Sequence, residues 1–267
     1  MFNFRQKLSL KSAQQSLLSS KHLTSQEKNW LQNIQTRIHK QEKSYLRNND
    51  EHYLSVGLSA VNCIQKAIRH SNLESPTSIL DFPSGYGRVL RFIEVAFPEA
   101  YIEAMELDSK AVQFCRKIFG VGSSLSRKDF SKLRLKRTYD LIWCGSLVTH
   151  LDKLQTENLL SFFFTHLNPG GLCVFTTHGV AVETILETGE QNYSLNPTQI
   201  KSLIAQYQKD GFGFTEYEPS RDGYGFSLTE EAIIRQIAEK VGQWSCNLHI
   251  PNGWDNHQDV YSFSKHT

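Results

Sequence analysis

The 267-residue sequence is poor in the features that mark several protein classes. It has five cysteines, Cys63, Cys115, Cys144, Cys173 and Cys246, scattered and with no C-x-x-C pair. An odd, dispersed set excludes a disulfide framework and offers no zinc-ligand spacing, so reduced core thiols and no metal site are expected. With 16 Gly and 7 Pro, collagen-like composition is excluded. No long apolar run is present. The densest, Leu159 to Phe164, is interrupted by Ser161 and ends at Thr165-His166, so no membrane span is expected. The N-terminus lacks the apolar core of a secretory signal, which points to the cytoplasm. It is basic and Ser-rich, with no acid before Glu27, and reads as a surface arm rather than an organellar transit peptide. Charge of one sign is lacking too: 29 Lys+Arg against 27 Asp+Glu leave +2, which argues against a nucleic-acid partner.

What is present is enough for a core, with 39% hydrophobic positions. Residues 1–75 read as a helical extension. Thr24-Ser25-Gln26-Glu27 is a capping-box sequence, followed by Trp30, Ile34 and Ile38 at helical spacing. A second helix, from about Asp50 to His70, carries Leu54, Leu58, Val61 and Ile68. From residue 76 to 267 strands and helices alternate. Strands are expected at Ile79-Leu80, 101–106, 121–125, 139–144 and 172–177, and helices through Val89, Phe92 and Val95, over 110–119 and over 152–167. Asn168-Pro169-Gly170-Gly171 is expected to turn the chain. Such alternation predicts an α/β fold with a parallel sheet covered on both faces. Further on, Asn196-Pro197 opens a helix and 212–218 alternates like a strand. Ser227 to Glu230 reads as another capping box. Strands at 244–250 and 259–263 are joined around Pro251-Asn252-Gly253, which makes them antiparallel.

The strongest chemical signal is Asp81-Phe82-Pro83-Ser84-Gly85-Tyr86-Gly87-Arg88, between a strand and a helix. Gly85 and Gly87 let the backbone turn sharply and approach a ligand. Leu90 stands where a dinucleotide fingerprint needs its third glycine, and the Lys-Ser/Thr of a P-loop is absent. Glu106 ends the next strand about 20 residues on, placed to accept hydrogen bonds from ribose hydroxyls. Its neighbours are Leu107 and Asp108, the latter an alternative for that role and the natural cap of the following helix. Asp129-Phe130 follows the third strand, where an acid can accept from an adenine amino group while the ring packs nearby.

Taken together, Asp81 to Thr177 resembles the class I S-adenosylmethionine (SAM)-dependent methyltransferases. The resemblance includes Tyr139-Asp140-Leu141-Ile142-Trp143 and Leu167-Asn168-Pro169-Gly170-Gly171. It implies a Rossmann-like, doubly wound seven-stranded sheet with the last strand antiparallel, and SAM as cofactor. It places Asp81, Pro83, Ser84, Gly85, Gly87, Arg88, Glu106, Leu107, Asp129, Phe130, Cys144 and Ser146 around that cofactor. Pro83 stands where the family usually has glycine. The loop is similar to that of a bacterial subgroup with D-x-P-C/S-G-x-G-R, whose resemblance extends to Gly223-Tyr224-Gly225-Phe226-Ser227 and to Trp254 through Asp259. That subgroup tends towards carbohydrate or lipid modification.

Methyl transfer to a hydroxyl needs a base. His150, His178 and His257 fall at the sheet edge where α/β folds bind ligands, and the residues leave the choice among them open. An insertion at about 180–226 is expected to cover the substrate, with Tyr193, Tyr217, Arg221 and Tyr224 as lining candidates. The expected function is methyl transfer to a small-molecule or glycan acceptor. An RNA or protein methyltransferase, supported by the basic arm of Arg5, Lys7, Lys11, Lys21 and Lys28, and a non-catalytic SAM-binding module are the alternatives. The stripe Trp30, Ile34 and Ile38 must pack on something, either the catalytic domain as a lid or a second copy in a homodimer.

Overall fold

The computed structural model describes residues 9–42, 44–45, 49–217 and 223–267. Arg5, Lys7 and Arg221 lie outside them. Seven strands form one sheet: β1 (Ser78–Asp81), β2 (Tyr101–Glu106), β3 (Gly122–Leu125), β4 (Tyr139–Cys144), β5 (Leu167–Thr177), β8 (Trp244–Trp254) and β9 (Gln258–Lys265). Their order is β3-β2-β1-β4-β5-β9-β8. The pairs β2–β3 and β4–β5 are parallel, and β9 runs antiparallel to both β5 and β8. This is the α/β sheet that the alternating pattern and the resemblance both implied. Strands β6 (Phe212–Glu216) and β7 (Gly225–Thr229) form a separate antiparallel pair.

The chain gathers into two compact units. The first comprises Met1–Asn62 and Leu80–Ser126. It holds α1 (Lys11–Leu18), α2 (Ser25–Asn33), α4 (Leu90–Ala96) and α5 (Ser109–Phe119), with most of α3 (Asp50–Arg69). The Thr24 capping box forms as read: Thr24 Oγ1 accepts the Glu27 amide at 3.2 Å, and Glu27 accepts the Thr24 amide at 2.7 Å. The stripe needs correction. Helix α2 stops at Asn33 because Ile34 turns extended, with φ −65° and ψ 150°, so Ile38 is not helical. Trp30, Ile34 and Ile38 are nonetheless buried within the chain, which removes the stripe as a ready dimer surface.

The second unit comprises Cys63–Ile79 and Arg127–Thr267. It holds α6 (Lys153–His166), α7 (Val180–Thr188), α8 (Pro197–Asp210) and α9 (Glu231–Val241). Asp152 and Asn196 form capping boxes with Gln155 and Gln199. Three readings change here. Asn168 to Gly171 does turn, but as an excursion within β5: Tyr139 pairs with Leu167 and Leu141 with Leu172. The β8–β9 reversal falls at 255–257, where Asp255 and Asn256 take positive φ, while Pro251 to Gly253 bulge within β8. Ser227 does not cap a helix. It lies in β7, its hydroxyl donates to the Val148 carbonyl at 2.9 Å, and Glu230 caps α9 without a side-chain bond. The elements α7 and β7 were not anticipated. With α8 they enclose a core of Val182, Leu186, Leu195, Leu203, Tyr207, Phe226 and Leu228.

No helix among the described residues is long and apolar enough to cross a membrane.

Candidate active site

The first unit carries the glycine loop. Strand β1 ends on Asp81, and the loop folds back so that the Ser84 amide donates to the Met105 carbonyl of β2 at 3.0 Å. The Phe82–Pro83 peptide is cis. Gly85 and Gly87 both take positive φ, +52° and +85°. Their reasons differ. A Cβ on Gly87 would fall 2.5 Å from the Phe119 ring, so packing forbids a side chain there. A Cβ on Gly85 would meet nothing within 4 Å, so that face of the loop is open to a ligand.

Two carboxylates bracket this loop. Asp81 is fully buried, and among the described residues neither of its oxygens has a hydrogen-bond partner. Burial, with the Glu106 charge adding to it, pushes its pKa well above the ordinary carboxylate range. A buried, unpaired acid is costly unless a donor or cation from outside completes it. Glu106 holds the loop: Oε2 accepts the Gly85 amide at 2.9 Å and Oε1 the Leu107 amide at 2.7 Å. Oε1 also accepts the Asp108 amide at 3.4 Å, so it is Oε2 that keeps a lone pair for a hydroxyl donor. Asp108 caps α5 through the Lys110 amide at 2.9 Å and accepts the Tyr86 hydroxyl at 2.8 Å. The Tyr86 bond and then the Lys110 bond hold its pKa low. Leu107 is 48% exposed beside them, an apolar surface for a ligand. Ser84 is buried and Arg88 half-buried.

The second unit carries the other expected residues. Asp129 is exposed; it accepts from the Ser131 amide at 3.1 Å and pairs with Lys132 at 2.9 Å, so it starts a short 3-10 turn. Phe130 and Cys144 are buried. Ser146, after β4, takes φ +58°, and its amide donates to Thr176 Oγ1 at 2.8 Å. Gln258, which sequence reasoning did not single out, ties this corner. Its Nε2 donates to Ser146 Oγ at 3.1 Å, and its Oε1 accepts the Thr176 hydroxyl at 2.6 Å. The signal was its place inside the Trp254-to-Asp259 motif. Trp254 packs edge-on to Trp143, rings 5.4 Å apart, and leaves room only for glycine at 145.

His150 and His178 share one arrangement. Nδ1 of His150 lies 2.8 Å from the Gly225 carbonyl, and Nδ1 of His178 lies 3.3 Å from the Ser227 carbonyl, two positions along β7. A carbonyl only accepts, so each Nδ1 carries the proton and each Nε2 keeps a lone pair. Burial holds both rings neutral, His178 more strongly. The His178 and His257 rings lie 5.6 Å apart, and Tyr193 meets Nε2 of His257 at 3.3 Å. His150 instead stacks on Tyr224, ring centroids 4.7 Å apart, with Tyr217 at 5.9 Å. The three histidines thus form two groups, one around His178 and one around His150.

A family model for a methyltransferase domain matches residues 79–171. A malonyl-[acyl-carrier protein] O-methyltransferase of Halalkalibacterium halodurans is 27% identical over 178 residues, covering 64% of each chain. The match thus spans under two-thirds of that relative's length. A SAM-dependent methyltransferase from Clostridium acetobutylicum shares the fold at TM-score 0.55 and 16% identity, covering 78% of this chain and 92% of its own. An amino pentose methyltransferase from Micromonospora echinaspora does so at TM-score 0.53 and 14% identity, covering 79% and 92%. The first unit suits a cationic ligand bearing a ribose: among the described residues Asp81 lacks a donor, Glu106 Oε2 has a lone pair to offer a hydroxyl, and Gly85 leaves the approach open. Residues 79–171 thus match a methyltransferase domain, and the chain shares the fold of SAM-dependent methyltransferases.

Proposed function

We propose that this enzyme methylates a hydroxyl of a small-molecule or glycan acceptor, with His150 as general base. Asp81 and Glu106 hold SAM in this reading, Asp81 facing its positive charge and Glu106 its ribose. Bound SAM supplies a methyl group already activated by the sulfonium. What remains for the protein is to align the acceptor and take its proton. The observation that carries the reading is the His150–Gly225 bond. It fixes the proton on Nδ1 and leaves Nε2 as a neutral base on a half-buried ring. His178 has the same tautomer but is sealed, with 4% of its surface exposed, and it serves better to hold β7. Ser146, Thr176 and Gln258 form a hydroxyl-rich corner after β4 that suits a polar acceptor. The O-methyltransferase relative and the amino pentose enzyme agree with an oxygen acceptor and a sugar-like substrate, respectively.

The test is incubation with methyl-labelled SAM and a metabolite-plus-glycan extract, read by mass spectrometry. A labelled product whose methyl sits on oxygen is expected. His150→Gln should bind SAM as before and lose about 10²–10⁴-fold in turnover. A labelled nitrogen or an RNA product would overturn the acceptor class. SAM binding with no product from any extract would favour the non-catalytic module.

A further inference from the structure

We propose that residues 35–39 are a clamp that holds the glycine loop in its SAM-binding shape, with Arg91 and His39 as the positioning residues. The inference rests on the reading of this loop as the SAM loop. Its geometry lies wholly within the first unit.

Arg91, in the first turn of α4, has no exposed surface. Its Nε donates to the Gly87 carbonyl at 2.9 Å, at the end of the loop. Its Nη1 donates to the carbonyls of Gln35 and, at 3.3 Å, Arg37. One guanidinium therefore ties the loop to the segment after α2. The Tyr53 and Phe119 rings flank it at 5.6 and 5.5 Å. The early stop of α2 makes this possible. Gln35 and Arg37 are not helical, so their carbonyls are not committed to a helix ladder and can face the arginine. Nε and Nη1 are matched, while Nη2 has no hydrogen-bond partner among the described residues; a lysine ammonium cannot reach the same three carbonyls in this plane.

His39 makes the second hold. Its ring lies flat on Tyr86, centroids 4.4 Å apart and planes 4° apart. Phe114 meets both rings edge-on, at 5.2 and 5.8 Å. Tyr86 is the residue between Gly85 and Gly87, and its hydroxyl reaches Asp108. The loop is thus gripped at Gly87 by Arg91 and at Tyr86 by His39, next to the open face of Gly85. The clamp has its own support. The Leu10 amide donates to the Thr36 carbonyl at 2.9 Å, Ser9 bridges Arg37, and Gln14 donates to the Leu31 carbonyl at 2.6 Å. The N-terminal helices therefore serve the cofactor loop, where the sequence suggested a substrate lid or a dimer contact.

The experiment uses the full chain with His39→Ala, His39→Phe and Arg91→Lys. In the SAM-free protein, hydrogen exchange at the Gly85 and Gly87 amides should quicken in His39→Ala and return towards the parent rate in His39→Phe. SAM affinity by calorimetry should fall about 10-fold in His39→Ala, the scale of one ring stack, with KM for SAM rising more than kcat falls. Arg91→Lys should show both effects more strongly. Should Arg91→Lys fail to fold, the His39 pair still decides. Unchanged exchange and unchanged affinity in His39→Ala would overturn the clamp. Faster loop exchange in a chain whose parent does not bind SAM would instead uphold the clamp and sink the SAM reading.

Discussion

Asp81 in the first unit, buried, and His150 in the second, half-buried, are ionisable groups at or after the ends of sheet strands, yet their surroundings are opposite. Among the described residues Asp81 accepts no hydrogen bond. His150 and His178 each give their one proton to a β7 carbonyl. The unpaired acid costs the folded protein stability, and in the proposed reading a bound ligand offsets that cost. The paired histidines stabilise the protein and keep one nitrogen each, so their chemistry is narrowed to that of a neutral base. Which kind of site a buried group makes is decided by whether the backbone nearby offers it a partner.

The largest test of this contrast is kinetic. His150→Gln is expected to reduce turnover by about 10²–10⁴-fold, and His178→Gln far less. His178→Gln should melt earlier, because its Nδ1 bond to Ser227 holds the buried β7. Steady-state kinetics with thermal melts separates them, and the reverse ranking would exchange the two roles. Next comes Asp81→Asn. SAM affinity should drop about 10–100-fold, the range for a hydrogen bond to a charged group, while the SAM-free protein becomes more stable at pH 8. The sign follows from the raised pKa: folding favours the protonated acid, so parent stability declines as pH rises above the ordinary carboxylate range. Calorimetry and melts at pH 5 and 8 read both, and undiminished SAM affinity would remove Asp81 from the cofactor. A smaller effect is expected at Glu94, whose pKa burial raises to about 7 despite the nearby Arg91 charge. Its folded form prefers the proton, so that contribution is full below pH 4.5 and lost as pH climbs through 7. Glu94→Gln should match the parent at pH 4 and exceed it by about 1 kcal/mol at pH 8, allowing for solvent screening. Equal stability at both pH values would show the burial to be overdrawn. The smallest expected change is Ser227→Ala, about 1 kcal/mol for the lost bond to Val148, seen in chemical denaturation.

Much of the sheet was legible because its signals are local. The strand at 101–106 and the helix beginning after Asp108 were read nearly to the residue, since alternation and capping act within a few positions. The Thr24 box is visible for the same reason. Ser227-x-x-Glu230 shows the limit: the same spacing lies on β7, where pairing with β6 and burial on all five residues override it. Ile34 failed likewise: it turns extended and ends α2, and the Gln35 carbonyl beside it finds its partner in a guanidinium 56 positions away. At the site, the sequence marked the residues that bear chemistry but not their partners. Nothing in the spacing says that Gly225 and Ser227 carbonyls fix two imidazoles, or that Asp81 has no hydrogen-bond partner among the described residues.

The position of β9 bears on how the protein is made. Strand β8 is synthesised before β9, yet β9 stands between β5 and β8 in the sheet. On the ribosome β8 therefore has no docking edge until β9 has emerged. The edge of β5, with Cys173, Val174 and Phe175 fully buried in the finished fold, stays unpaired for the same interval. Such an edge invites foreign strands. Cell-free synthesis that stalls before Gln258 should thus yield a nascent chain that holdase chaperones capture, while release past Lys265 closes the sheet and frees it.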